Sequence, residues 1–487
     1  MMRKIRMQTG EMNMLEGPLL GKIFAFALPL MLTNLLQTCY SAADMIIVGL
    51  SGVDGAIGAI GTTNAMINLV LNVFSGFAVG TSVVVARNIG RGDRTATSHA
   101  VHTSLIVALV SGLVCAAIGL FISRPVLEAM GDEGHILDLA SLYTMIYFIG
   151  TPFLALANFM ISILRAQGDT RTPLFILTCT GLLNVVLNLL FVLCFGMSVD
   201  GVAIATVISN AVSVVLLTIR LRNDTGWCHL SLRRLHVDKS ALGEIIHDGL
   251  PAGVQGALFS LSNMLIQSTI IGINNSTCPG GSEIIDGHAA GSSIEGFLYT
   301  ATNSVSQAAV TFTSQHYGAR KYKRIGSVMR NCYFVTATIA VFGAALILLL
   351  RRQIIGLYIT SELAVETATI RCFIMLSCYF LLAFMETGSG FLRGLGRSIT
   401  STVVSLIGSC LLRVIWIWLI FPAGSRDRNG VSFLSGLLGI DGIGPLRADA
   451  DRTQTTDAAA GCGTWHTGGG TCRLIEQNRK SPGSVRE

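Results

Sequence analysis

Asp44 is the residue from which a chemistry can be argued. It sits deep in the apolar run LPLMLTNLLQTCYSAADMIIVG, residues 28–49. A carboxylate in mid-membrane costs about 2.5–3.5 kcal/mol on the insertion scale, so it must be protonated, paired or bound to a cation. No apolar run in the first half of the sequence offers a lysine or arginine at comparable depth. A cation or proton site is the reading that remains. Sodium, a hard cation, would draw oxygen ligands from nearby amides and hydroxyls; a proton would need only the carboxyl.

Other polar residues recur at helical spacing. Asn34, Gln37, Ser41 and Asp44 follow each other by three, four and three residues and share a helix face. Asn64, Asn68 and Asn72 are spaced by four, as are Asn184 and Asn188; Thr206, Ser209 and Asn210 mark the run after them. In the second half Gln255, Ser262 and Asn263 share one run, Glu295, Tyr299, Thr302 and Ser306 the next, and Glu386 stands in a later one. For a single Asn or Ser the plain explanation is inter-helical hydrogen bonding, which contributes about 0.6–2 kcal/mol. As a set they outline a polar cavity.

These residues need helices in lipid to hold them, and composition says so. Of 487 residues, 51% are hydrophobic and 13% charged, with mean hydropathy +0.62. A soluble domain carries about 25% charged residues. Runs of the length needed to cross a hydrocarbon core fall near 24–48, 57–85, 99–122, 138–163, 174–195, 200–219, 251–273, 287–313, 328–350, 367–391 and 400–421. The first starts late and is too long for a cleavable signal peptide. Alternate loops hold most of the arginines and lysines, the positive-inside pattern, which places the N-terminus in the cytoplasm of a bacterial plasma or inner membrane. Topology accounts for these basic loops without nucleic acid. The twelve cysteines are scattered and lack zinc-like spacing.

The chain also repeats itself. LRAQGDTRTP at 164–173 returns as LRGLGRSITS at 392–401, and RNIGRGDRTATSHAVH at 87–102 aligns with QHYGARKYKRIGSVMR at 315–330. Both matches are offset by 228 residues, and Pro29 pairs with Pro251. Six runs per half is an even number, so both halves enter the membrane in the same sense. The expected fold is all-α and polytopic: two parallel six-helix repeats forming two bundles around a central cleft. The expected divisions are an N-lobe at 1–221, a cytoplasmic linker at 222–249 and a C-lobe at 250–422. Arg165 and Arg393, at the cytoplasmic ends of the fourth spans, read as topological anchors first and gate elements second.

The 28–49 run, the RNIGRGD and QHYGARK loops and the paired corners resemble the multidrug and toxic compound extrusion (MATE) transporters, over roughly residues 15–422. The resemblance implies a monomeric exporter, not an enzyme, that exchanges lipophilic, often cationic, small molecules for H+ or Na+ and takes no cofactor. It implies cation binding at Asp44, Asn184, Asn188 and Thr206, with a helix bend at Pro29. It implies a cavity at Asn34, Gln37, Ser41, Asn64, Asn68, Asn72, Gln255, Asn263, Glu295, Tyr299 and Glu386. Asn188 departs from one version of the pattern, which has a second aspartate there; the coupling ion, H+ or Na+, stays open. The alternative from the same superfamily is a flippase for a lipid-linked oligosaccharide, which would need arginines or lysines inside the cleft; the sequence places Arg371 and Arg413 only near span ends. A membrane-embedded enzyme would need paired aspartates or an HExxH arrangement, and neither occurs.

After Pro422 the character changes. Residues 423–487 are polar and glycine-rich, and the best candidate for the twelfth span, GVSFLSGLLGIDGIGPL at 430–446, is interrupted by glycines and Asp441. Codons for this stretch, read one nucleotide out of frame, can spell a run like the family's twelfth span. The expectation is a frameshift shortly after Pro422.

Overall fold

The computed structural model describes residues 12–49, 53, 56–129, 134–277, 283–356, 359 and 361–407. The second part of the eleventh run, the expected twelfth span and the whole 423–487 tail lie outside the described residues. Each apolar run through the ninth becomes one helix: α1 Leu19–Gly49, α2 Ala56–Arg91, α3 Arg94–Ala129, α4 Gly134–Gln167, α5 Arg171–Leu189, α6 Val199–Arg222, α7 Lys239–Thr277, α8 Glu283–Gly318 and α9 Tyr322–Ile355. The tenth run is broken into α10 Glu362–Ser377 and α11 Tyr379–Gly394, bent by 53°. The eleventh begins as α12, Ser398–Ser405. A 36-residue helix is about 54 Å long, so the longest helices project beyond a hydrocarbon core of about 30 Å.

Six of these helices are apolar enough by length and composition to cross a membrane, and the bent α10–α11 pair makes a seventh. Helices α2, α7 and α8 are as long, and they are the three that meet at the centre, α2 against both α7 and α8. The outer helices show lipid-compatible faces: Phe121, Phe342 and Leu349 are all largely exposed.

The repeat is visible as reciprocal packing at the end that carries the basic loops. A Cβ on Gly90 would collide with the backbone of Gln315, and one on Gly318 with the backbone of Arg87. Gly90 and Gly318 are the matched glycines of the two loops. Their hydrogens let the ends of α2 and α8 touch backbone to backbone. Arg87 then reaches Asp248 at 3.0 Å and Glu244 at 3.4 Å on α7, and Gln315 donates to the Ala166 carbonyl at 2.7 Å. These contacts close the basic end.

The first helix of each half packs on both halves. The start of α1 (Ile23, Phe26, Leu30) shares a core with Val305, Phe312 and Val328 of α8 and α9. Its far end (Ile47, Val48) joins Ile60, Tyr143 and Val202 of the first half. In the same way Ala241 and Ile245 of α7 are buried among Val84, Leu164 and Leu217, while the Pro251 carbonyl accepts from Thr402 of α12 at 2.9 Å. Both helices therefore bridge the halves.

Helix α7 starts at Lys239, inside the stretch 222–249 expected as the linker. Asp238 accounts for the early start: its carboxylate accepts from the Ala241 N–H at 2.8 Å, an N-cap bond. That bond, with His99 opposite, holds the Asp238 carboxyl below its ordinary value.

Candidate cation site and central cavity

Asp44 is about four turns past Pro29 on α1, which runs unbroken through that proline. The ring removes one backbone donor, and packing of both flanking segments keeps the helix continuous. Thr33 spends its hydroxyl on the Pro29 carbonyl at 2.8 Å.

Four residues expected together do come together. Asn188 donates from Nδ2 to Asp44 Oδ1 at 2.5 Å. The same nitrogen lies 3.4 Å from Asn184 Oδ1, and Asn184 Nδ2 donates to Thr206 Oγ1 at 3.3 Å. Spacing by four puts Asn184 and Asn188 on one face of α5, and α6 packs beside it, so the chain of polar groups runs α1–α5–α6. Among the described residues no lysine, arginine or histidine lies within ion-pair distance of Asp44. Asn188 Oδ1 is buried with no hydrogen-bond partner. An unsatisfied buried acceptor costs about 1–3 kcal/mol, which a proton-bearing group or a cation would recover. Apolar side chains enclose the group, Met45, Ile47, Val185 and Val202 among them.

Two residues of this wall escaped the sequence reading. Tyr143 and Tyr147 of α4, with ring centroids 6.2 Å apart, belong to the same cluster as Ile47 and Val202. Their spacing of four inside an apolar run was the available signal.

The rest of the polar stripe of α1 faces elsewhere. Asn34, Gln37 and Ser41 line a recess of about 440 Å³ against Tyr299, Asn303 and Gln307 of α8, with Asn34 donating to Ser304 at 3.3 Å. Asp44 lies about 15 Å further along the helix axis than Asn34, where Ile47 and Val48 of α1 pack in the first half's core.

A larger cavity, about 710 Å³, lies between the halves. Asn72, Gln255, Asn263, Glu295, Tyr299 and Glu386 line it as expected. Asn72 crosses to Ser260 of α7 at 2.7 Å. Asn68 is exposed, and the side chain of Asn64 lies outside the described residues. The cavity corrects one expectation. Arg165 and Arg393 point into it, as does Arg371. Arg165 donates to Gln307 at 2.7 Å, Arg393 to Gln255 at 2.9 Å, and Arg371 to Glu295 at 2.9 Å. Position at a span end fixes the depth of an arginine's backbone but not the direction of its long side chain.

The fold and the sequence can be set beside known proteins. The MatE family model matches residues 29–190 and 251–419. The probable multidrug resistance protein YoeA of Bacillus subtilis is 25% identical over 82% of this chain and 89% of its own length. The probable multidrug resistance protein NorM of Thermotoga maritima is 25% identical over 79% and 82%. A multidrug resistance MATE family transporter of the MOP superfamily, solved in an outward-facing conformation, superposes with TM-score 0.79 at 22% identity, covering 92% of this chain and 97% of that one. With the family match falling on both halves of the repeat, the chain belongs to the MATE family, and it is a multi-pass membrane transporter rather than an enzyme.

Proposed function

We propose that this transporter is a cation-coupled antiporter that exports lipophilic small molecules, with Asp44 carrying the coupling ion. The observation that carries the reading is Asp44 itself: an acid inside the membrane, hydrogen-bonded by Asn188 and paired with no cation among the described residues. The names of the relatives, multidrug resistance and multidrug export proteins, support the cargo class. The basic loops put the closed end on the cytoplasmic side, so the central cavity faces outward.

Helix α1 supplies the coupling. Its Asp44 end is packed in the first half and its Phe26 end on the second. A ligand that binds Asp44 more tightly in one arrangement of α1 shifts the population of that arrangement, and the two halves move with it. A tenfold difference in affinity between arrangements supplies about 1.4 kcal/mol. Sodium would need the Asn188 oxygen, not its N–H, turned to Asp44; a proton would need no such reversal.

The test is Asp44→Asn. It should abolish export, and with it the drug resistance conferred on a sensitive host, while membrane insertion is retained. Normal export in that variant would falsify the assignment. Transport into vesicles with a proton or a sodium gradient imposed separately identifies the ion.

A further inference from the structure

The arginines of the central cavity are not equivalent. Arg87 and Arg220, outside it, each reach two carboxylates, and Arg371, near its outer mouth, reaches Glu295. Arg165 and Arg393 reach no carboxylate among the described residues. Each spends one N–H on a glutamine oxygen; the buried Nε of each has no partner, as in Arg87 and Arg371, so what sets the pair apart is the missing carboxylate. They occupy matched positions of the two repeats, at the ends of α4 and α11. They line the cavity on the side of its closed end, since Gln307, which holds Arg165, is two helical turns from the Gln315 contact that seals that end.

The charge balance follows. Three guanidinium groups and two carboxylates, Glu295 and Glu386, line the cavity, leaving one net positive charge. Glu386, about two turns up α11 from Arg393, is within electrostatic reach of that arginine but forms no ion pair with it, so the net positive charge is shared by the floor. A guanidinium fork with free donors suits a phosphate or carboxylate, which accepts two parallel hydrogen bonds. A quaternary ammonium would meet like charge there.

We infer that the floor of the central cavity is an anion site, in which Arg165 and Arg393 hold the phosphate or carboxylate head of an amphiphilic substrate. The inference rests on the reading of this cavity as the transport path, and it narrows the cargo to molecules with an acidic head.

Binding separates the two readings. The full chain in phosphatidylcholine nanodiscs is titrated calorimetrically with 2-naphthyl phosphate and with the matched 2-naphthyltrimethylammonium, no ion gradient being present. The phosphate should bind at least tenfold more tightly. Arg165→Gln and Arg393→Gln should each weaken it about tenfold. Gln307→Glu keeps both arginines but gives Arg165 a carboxylate, and should weaken the phosphate to a similar degree without weakening the ammonium. Adding phosphatidylglycerol to the discs assigns the occupant: competition marks a lipid headgroup, and no competition a soluble anion, the site being anionic in preference either way. An ammonium that binds as tightly as the phosphate, or a phosphate affinity unchanged in all three variants, overturns the inference. Asp44→Asn should leave phosphate binding intact, so loss of export with binding retained bears on coupling alone.

Discussion

The two halves of the molecule share their helix order and their loop positions, yet the carboxylates of Asp44 and Glu295 are held in opposite ways. In the first half Asp44 has an amide for a partner. In the second, Glu295 is clasped by Arg371 at 2.9 Å, both side chains mostly buried. A carboxylate held by a guanidinium keeps its charge, because giving it up would strand the arginine. A carboxylate held by Asn188 can take and release a cation without leaving an opposite charge unpaired. The contrast is between two sites rather than two whole halves: the first half also holds a fixed cluster, Arg220 with Asp169 and Asp224, and the second also buries Glu386 with no ion pair among the described residues.

Removing the exchangeable carboxylate should have the largest effect, the loss of export already described for Asp44→Asn, at little cost to folding. Removing the fixed one should do the reverse. Glu295→Gln leaves Arg371 facing a neutral group, and breaking a buried pair from one side costs about 3–5 kcal/mol. The expected result is a clear drop in thermal unfolding temperature in detergent. Adding Arg371→Gln should restore much of it, because no buried charge is then uncompensated. If Glu295→Gln unfolds no more readily than the parent, the clasp is not structural and the contrast between the two sites fails.

Much of this was legible beforehand. The apolar runs through the ninth each became a helix, because in lipid the backbone must satisfy its own hydrogen bonds. Spacing by four gave Asn184 and Asn188 one face, and the repeat gave the reciprocal glycines. Three features were not legible. The break between Ser377 and Tyr379 carries no proline or glycine; it accompanies burial of the Tyr379 ring, whose hydroxyl lies 3.4 Å from Thr302, a tertiary cause. The early start of α7 depends on the Asp238 cap and on burial of Ala241 and Ile245 in the other half. The direction of Arg165 and Arg393 is set by Gln307 and Gln255, distant in sequence.

Where the halves touch, they should respond alike. Gly90→Ala puts a methyl against the Gln315 backbone, and Gly318→Ala puts one against that of Arg87. Overpacking of this kind costs about 1–3 kcal/mol, here charged to the form with the basic end closed. Both variants should expose that end, read as faster labelling of a cysteine placed at Ser314 in an otherwise cysteine-free chain. Gly243→Ala, whose added methyl meets nothing within 4 Å, is the control. Unequal effects at Gly90 and Gly318 would mean that the pseudo-symmetry stops short of the gate.

The smallest effect isolates a place where the repeat diverged in sequence but not in backbone. Gly92 has φ +76° and its counterpart 228 residues later, Arg320, has φ +56°. The turn after α2 and the turn after α8 therefore use the same left-handed residue, but only one of them is a glycine. A side chain in that region costs about 1–2 kcal/mol, partly offset by the greater entropy glycine loses on folding. Arg320→Gly should thus stabilise the chain by about 1 kcal/mol, and Gly92→Ala should destabilise it by a similar amount, since a methyl at Gly92 meets nothing and only the dihedral is at issue. Denaturation of the two single variants and their double, compared in one detergent, checks both signs. The double should return close to the parent, because the two turns lie at separate helix ends and distant substitutions add.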